Sequence, residues 1–549
     1  MATAPTDPKA KPPKLPKDHV RESIETVVFV VTLVLLLKLF VVEAYVIPTG
    51  SMAETLLGYH KLFDCPECGH RFPINSSDEV EPQDGQPWPV RDCKCPNCGY
   101  EKQFTPTSPS PPNESGDRVL VHKTWYHLDP PKRWDTVVFK YPADPQKRHV
   151  PMNYIKRLWG IGDETYGIHR GEVFVRPGPI PANANEIERA DRPEDLWSPV
   201  YTRHNSGESK ELFEAGRLAG FPSGKNGFEL LRKPDVIAMA ERRLVHDNDH
   251  QAKTLIEKGS PPRWWADPKR LGTIAWGVDD AKAPKSFTHD GPELSFIRYQ
   301  HLTENAWANP PNAKPAPIRN VIGYNTPKLP LNKKQDLFDY WCGDLMLECR
   351  AKLEEGTVTL ELSKGVDRFQ ARFATGKVQL VRVTDGKETV MTEQPTSMLA
   401  NATYDLRFAN IDCRLRVWVN GKPIDFGSPA DYSLAPVTEY DSLDTGKEGW
   451  TIRNDIEAPA SIGATGRVSI DRIKLWRDTV YTAQGLMNRP ERYADYVDTF
   501  YVHPGHYLCL GDNSAQSSDS RDWGTVPERL MLGRACFIFW PFTRIGFIK

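Results

Sequence analysis

The 549-residue chain lacks a dominant charge: 70 Lys and Arg against 72 Asp and Glu leave a formal net charge of −2, and the basic residues are spread, not gathered into a patch. That absence argues against nucleic acid as a partner. Cysteine is scarce, at 10 residues, and four of these fall in one repeated pattern. The apolar segment near the N-terminus is followed by no small-x-small sequence of the kind that ends a cleaved signal peptide, which argues against its removal. Length alone exceeds a single hydrophobic core, so about three or four domains are expected.

The segment Val27 to Ile47 is overwhelmingly apolar. About 21 residues at roughly 1.5 Å each give about 31 Å, enough to cross a bilayer core, and predict a transmembrane anchor. Lys38 interrupts it midway, a costly placement unless the ammonium snorkels or pairs, and Glu43 lies near the far end. Lys9, Lys11, Lys14, Lys17 and Arg21 precede the segment, whereas Lys61 alone follows closely. This asymmetry puts residues 1–26, a Pro- and Lys-rich tail expected to be disordered, in the cytoplasm, and everything from Pro48 onward outside.

Three motifs far apart in the chain carry candidate chemistry. Pro48-Thr49-Gly50-Ser51-Met52 follows the apolar segment directly; Asn153-Tyr154-Ile155-Lys156-Arg157 runs to Gly160-Ile161-Gly162-Asp163; and Gly511-Asp512-Asn513 runs to Ser517-Ser518-Asp519-Ser520-Arg521. A serine hydroxyl is a poor nucleophile until a neighbouring base takes its proton, and a desolvated lysine can be that base. Lys156 lies between Ile155 and the Arg157-Leu158-Trp159 run, so a strand that alternates faces could send its side chain into an apolar pocket. The plain alternatives are a polar turn at 517–521 and ordinary Pro-Thr-Gly turn chemistry at 48–50.

Together these motifs resemble the boxes of the type I signal peptidases, membrane-bound serine proteases that remove signal peptides with a Ser/Lys dyad. Gly116 to Val121, Asp135 to Pro142 and Arg534 to Pro541 resemble further strands of that family in the same order, so the resemblance covers about 170 residues. It implies Ser51 as nucleophile and Lys156 as general base, with Thr49 and the Ser51 N–H as oxyanion donors. It also implies Ser517 as the hydroxyl orienting the lysine, Asp519 and Arg521 as a bracing ion pair, and Ile47, Leu56 and Ile155 as walls of small-residue pockets. Two departures stand out: Ala53 is followed by Glu54-Thr55-Leu56 where the family usually has Pro-Thr-Leu, and Ser514-Ala515-Gln516 replaces a common Arg-Asp-Asn. Neither touches the dyad.

Cys65-Pro66-Glu67-Cys68-Gly69-His70 and Cys95-Pro96-Asn97-Cys98-Gly99-Tyr100 are two copies of one knuckle. Two C-x-x-C turns at this separation suit a tetrahedral zinc-ribbon site of Cys65, Cys68, Cys95 and Cys98, with a pair of disulfides as the alternative. Cys93 is left over and His70 is a substitute ligand. The ribbon and a stiff Pro-rich linker fill residues 65–115.

Between Gly162-Asp163 and Tyr501 lies a large insertion. Residues 171–335 read as mixed α/β, with Glu172 to Val175 a strand and Val236 to Lys258 helix-like. Asp247-Asn248-Asp249-His250 reads as a polar helix face, not a metal site. Residues 336–480 alternate apolar and polar at period two, and Asn420-Gly421 marks a hairpin. They predict a β-sandwich, weakly similar to concanavalin-like or laminin-G-like jelly rolls, for which carbohydrate is the partner by analogy. Cys342, Cys349 and Cys413 are either buried thiols or include one bridge.

The expectation is thus a mainly β protein: a protease core of residues 48–64, 116–170 and 500–549 behind one transmembrane helix, carrying a ribbon and a sandwich. Its predicted activity is hydrolysis of exported preproteins after a small-x-small motif at the cell (inner) membrane, beside the bilayer and the secretion channel. No cofactor is needed for that chemistry, and zinc would be structural. The alternative is a membrane-anchored glycan- or protein-binding module in which the core is a scaffold.

Overall fold

A computed structural model describes residues 19–82, 85–142, 152–169, 171–179, 196–198, 202–204, 227–266, 276–303, 306–325, 342–433, 453–481 and 498–549. Residues 1–18, and with them most of the expected tail, lie outside this set.

The expected anchor differs in its bounds. The helix begins earlier, at His19, and ends at Leu36; a π turn follows over Leu37–Val41 and a strand takes Val42–Val46. Arg21 and Glu25, paired at 2.7 Å one turn apart, support its polar first turns. The apolar helical part, 27–41, is therefore about 22 Å long against a bilayer core of about 30 Å. No helix among the described residues is long and apolar enough to cross a membrane. Val42–Val46 leaves the helix because it pairs residue for residue with Arg118–His122, Val42 opposite His122 and Val46 opposite Arg118.

The chain is mainly β. That first strand is the edge of an eight-stranded antiparallel sheet ordered 42–46, 118–122, 531–540, 136–140, 153–160, 506–510, 526–527, with 546–547 paired to 531–540. The strand Asn153–Gly160 is central. Lys156 faces Val137 across one edge, and Arg157 faces Leu510 across the other. Strand His506–Leu510 runs straight into Gly511-Asp512-Asn513, which brings the third motif beside the second.

A five-stranded sheet (203–204, 498–502, 164–169, 172–177, 229–230) links the core to the insertion. The insertion itself builds a twelve-stranded antiparallel sheet around Leu345–Lys364 and Ala460–Arg477. Its apolar residues, among them Leu360, Phe369, Phe408 and Ile462, form the largest buried cluster. Three corrections follow. The two strands expected at 345–349 and 358–362 are one strand, because Leu345–Lys364 keeps a continuous partner in Ala460–Arg477 through two bulges. Trp264–Ala266, Trp276–Val278 and Phe287–Tyr299 join the same sheet, so the β region starts well before 336. The helix expected over 236–258 is two short helices, Asp235–Glu241 and Lys253–Glu257, separated by the strand Arg243–Asp247. Pairing of that strand with Lys474–Arg477 overrides local helix propensity. Asp247 consequently ends a strand and pairs with Lys474 at 2.8 Å. The Asn420-Gly421 hairpin forms as expected, with φ of 49° and 74°.

Candidate active site and cysteine cluster

Ser51 sits in a 3-10 turn, Gly50–Met52, at 9% exposure. Lys156, at 2% exposure, reaches it from the central strand: Nζ donates to Ser51 Oγ at 2.5 Å. Burial pulls the Lys156 ammonium down from an ordinary 10.5 to about 8; Asp519, Cys509 and Asp512 pull the other way without restoring it, and Arg521 pushes with burial. No carboxylate among the described residues forms an ion pair with Lys156. Its ammonium lies 5.4 Å from the Tyr154 ring, and Tyr154 stacks on Tyr141 at 4.8 Å, so aromatic carbon forms part of the dry wall. A hydroxyl and a neutral amine held in this way can exchange one proton, which is what activation of a serine requires.

Asp519 and Arg521 pair at 2.7 Å, both wholly buried. Burial acts to raise the Asp519 carboxyl, but Arg521, the Gly511 N–H and Ser517 outweigh it and hold it below its ordinary range. Ser517 departs from expectation: it forms no hydrogen bond to Lys156, and its Oγ is buried without a well-formed partner. Ser517 lies over Gly511, where an added Cβ would fall 2.1 Å from Ser517 Oγ and 2.5 Å from the Ser51 carbonyl oxygen. Ser517 thus packs the glycine against the nucleophile turn. Thr49, half-buried and extended (φ −116°, ψ 160°), precedes that turn. Ile47, Leu56 and Ile155 share one apolar cluster with Met52. Leu56 is fully buried and Ile47 3% exposed, so in this structure both are packed core, and Ile155 is the more accessible of the three.

The four knuckle thiols converge. Cys65 and Cys98 sulfurs are 3.7 Å apart, as are those of Cys68 and Cys95, and all four lie within 4.8 Å of one another. All ten cysteines are free thiols, and 3.7 Å is well beyond a bond of about 2.05 Å, which argues against the disulfide alternative. A tetrahedral ion with metal–sulfur distances of about 2.3 Å needs sulfurs about 3.8 Å apart, so the cluster fits zinc. Each knuckle turns the same way: Gly69 N–H bonds Cys65 O at 2.8 Å and Gly99 N–H bonds Cys95 O at 2.9 Å, with φ of 72° and 74° that favour glycine. Cys93 and His70 stand outside the cluster; His70 stacks on Phe72.

Several residues at the site escape sequence reasoning. Arg243 donates to the carbonyls of Ala53 and Asp512, both at 2.9 Å. Arg157 pairs with Asp512 at 2.6 Å and with Glu241 at 3.2 Å. Asn325 exchanges amide hydrogen bonds with Asn513 at 2.9 and 2.7 Å. Arg243, Glu241 and Asn325 belong to the insertion, and nothing in their local sequence points 190 residues away. Asp117 and Arg544, paired at 2.9 Å, clamp the loop after Ser51 through Leu57 N–H and the Glu54 and Thr55 carbonyls. Asp117 lay within a recognisable strand motif and could have been found from it.

A family model described as "Signal peptidase, peptidase S26" matches residues 102–219 and 412–540, which include Lys156 and the 511–521 loop but not Ser51. Signal peptidase I of Leptolyngbya laminosa is 33% identical over 103 residues, 18% of this chain and 48% of that protein. Signal peptidase I of Streptococcus pneumoniae (strain ATCC BAA-255 / R6) is 52% identical over 48 residues, 9% and 24% of the two chains. The mitochondrial inner membrane protease subunit 1 of Mus musculus is 45% identical over 49 residues, 9% and 30%. The chain spans about half or less of the length of these relatives. Among solved structures, a carbohydrate binding module CBM66 from Bacillus subtilis covers 40% of this chain and 94% of its own at 11% identity, but with a TM-score of 0.21 that likeness carries no argument. The class that the sequence matches mark is the serine peptidases. Within that class, the chain is similar to the type I signal peptidases.

Proposed function

We propose that this chain is a membrane-anchored serine endopeptidase that removes signal peptides from exported preproteins by cutting after a small-x-small motif. The observation that carries the reading is the 2.5 Å contact between a buried Lys156 ammonium, with its proton affinity lowered to about 8, and the Ser51 hydroxyl. Ser51 Oγ attacks the scissile carbonyl carbon while Lys156 Nζ takes its proton. Thr49 and the Ser51 N–H receive the negative charge on the carbonyl oxygen. Collapse of the tetrahedral species passes the lysine proton to the departing amine, and water deacylates the serine by the same route.

Two further parts belong to this reading. The helix His19–Leu36 buries no residue, and Val27, Phe29, Leu36 and Leu37 are exposed. In this reading it attaches the protein to the cell (inner) membrane. Ser51 is then within reach of substrates tethered by their own apolar segments, which raises their effective concentration. The four knuckle cysteines bind a structural zinc that takes no part in the hydrolysis.

Cleavage of a membrane-inserted preprotein in liposomes tests the reading. Cutting after an Ala-x-Ala boundary is expected from the unmodified chain and not from Ser51→Ala. Equal processing by both would refute it. For the metal, elemental analysis is expected to find one zinc per chain, lost in Cys98→Ser.

A further inference from the structure

Residues 322–325 are packed between the cysteine hairpins and the nucleophile turn. Asn75 N–H bonds the Tyr324 carbonyl at 2.8 Å. On the other side, the Tyr324 ring covers Gly50 so closely that a Cβ there would meet a ring carbon at 2.2 Å. Ile322 and Tyr324 share a small buried cluster with Ala53 and Leu57. Asn325 then meets Asn513, whose Nδ2 also donates to the Gly50 carbonyl at 3.0 Å and whose backbone N–H donates to the Ser51 carbonyl at 3.0 Å. Both asparagines are buried, at 8% and 0% exposure.

The consequence lies in one peptide plane. The Gly50 carbonyl and the Ser51 N–H belong to the same trans amide, so they point in opposite directions. Ala53 N–H and Asn513 Nδ2 each hold that carbonyl at 3.0 Å, and together they aim the Ser51 N–H to the opposite side. A carbonyl only accepts, so Asn513 must turn its NH₂ to Gly50. Its Oδ1 is then left for Asn325 Nδ2, and its second N–H for Asn325 Oδ1. The Gly50 carbonyl selects which way the Asn513 amide is turned, and the two bonds to Asn325 hold it there.

We infer that Asn325 is a positioning residue of the catalytic site: through Asn513 and the Gly50 carbonyl it aims the Ser51 N–H at the oxyanion, so that the insertion completes the peptidase. This rests on the serine peptidase reading above and deepens it. An interaction made only as negative charge develops acts on kcat and leaves KM in place. Removing one oxyanion donor lowers kcat by about 100- to 1,000-fold. Misaiming it is expected to lower kcat by about 10- to 100-fold.

The test compares the unmodified chain with Asn325→Ala and Asn325→Asp in two assays: labelling of Ser51 by a fluorophosphonate across pH 6–10, and cleavage of a membrane-inserted preprotein. Both variants are expected to label about 10- to 100-fold more slowly at the plateau with unchanged KM for cleavage, and Asn325→Ala, which adds no charge, to keep its midpoint near pH 8. Asn325→Asp is expected to be the slower, since its carboxylate faces Asn513 Oδ1. Circular dichroism melting accompanies each variant, and equal melting temperatures are expected. Labelling at the unmodified rate would overturn the inference while leaving the dyad intact. A fall shared equally between kcat and 1/KM with a lowered melting temperature would also overturn it, as plain misfolding. Absence of Ser51 labelling in the unmodified chain would remove the peptidase reading and the inference together. Labelling without preprotein cleavage would remove only the proposed substrate.

Discussion

Lys156 and Lys233 are both fully buried, and their chemistry runs in opposite directions. Lys156, in the central strand of the core sheet, has a serine hydroxyl at 2.5 Å and is pulled down to about 8. Lys233, in the insertion, has Asp412 at 2.8 Å and Asp478 at 2.6 Å, so although burial acts to lower it, those carboxylates hold it well above its ordinary value. Lys364 repeats the second case with Asp344 and Glu172. Burial therefore does not make a base. Burial without a contacting carboxylate does, and the core sheet meets that condition by pairing Asp519 with Arg521 and Asp512 with Arg157, so that neither acid is free to pair with Lys156.

The comparison can be broken from either side. The largest effect is expected at the dyad: Ser51→Ala or Lys156→Ala should lower kcat/KM for preprotein cleavage by on the order of 10⁴-fold or more, with the fold intact by circular dichroism. Next, Asp412→Ala leaves Lys233 short of a partner in a dry site and should destabilise the chain by about 3 to 5 kcal/mol in urea unfolding. The same substitution should leave the pH midpoint of activity unmoved.

Lys156→Met should do the reverse of Asp412→Ala. A lysine whose folded value lies near 8 instead of 10.5 must be desolvated while charged below pH 8, a penalty of about 3 kcal/mol at roughly 1.4 kcal/mol per unit. The variant should therefore be inactive yet more stable by about 2 to 3 kcal/mol at pH 6. The sign also fixes the unmodified chain's behaviour: between about pH 8 and 10.5 the unfolded lysine binds a proton that the folded one does not, so stability should rise with pH across that window. The smallest effect sharpens the contrast. Cys509, buried near Lys156, replaced by Asp supplies the missing carboxylate and should move the activity midpoint up by about 1 unit.

How much of this was legible in the sequence follows from where the residues sit along it. Ser51, Lys156, Asp519 and Arg521 fall in short motifs, and each motif lies on an element with its own local signal, so the constellation could be assembled before the fold was known. The four cysteines were legible for the same reason, since each knuckle is a self-contained turn. Ser517 was placed beside the right group, and its packing over Gly511 without a well-formed hydrogen bond is tertiary, so no local pattern shows it. Arg243, Glu241 and Asn325 were invisible: each acts on residues of the core across a fold whose pairing no local pattern announces. Likewise, the broken helix at 235–257 and the long strand 345–364 were decided by partners in 460–477 rather than by propensity. The anchor's end was misjudged because Val42–Val46 is as apolar as the helix before it, and its strand partner at 118–122 decides its conformation.

The central claim is that Lys156 is neutral in the working range and is the base for Ser51. The pH dependence of preprotein cleavage tests it most directly. The account predicts that kcat/KM rises with pH to a plateau with a midpoint near 8, and that Lys156→Ala abolishes the rise together with the activity. A midpoint near the ordinary lysine value of 10.5, or a Lys156→Ala chain that cuts at the unmodified rate, would contradict it.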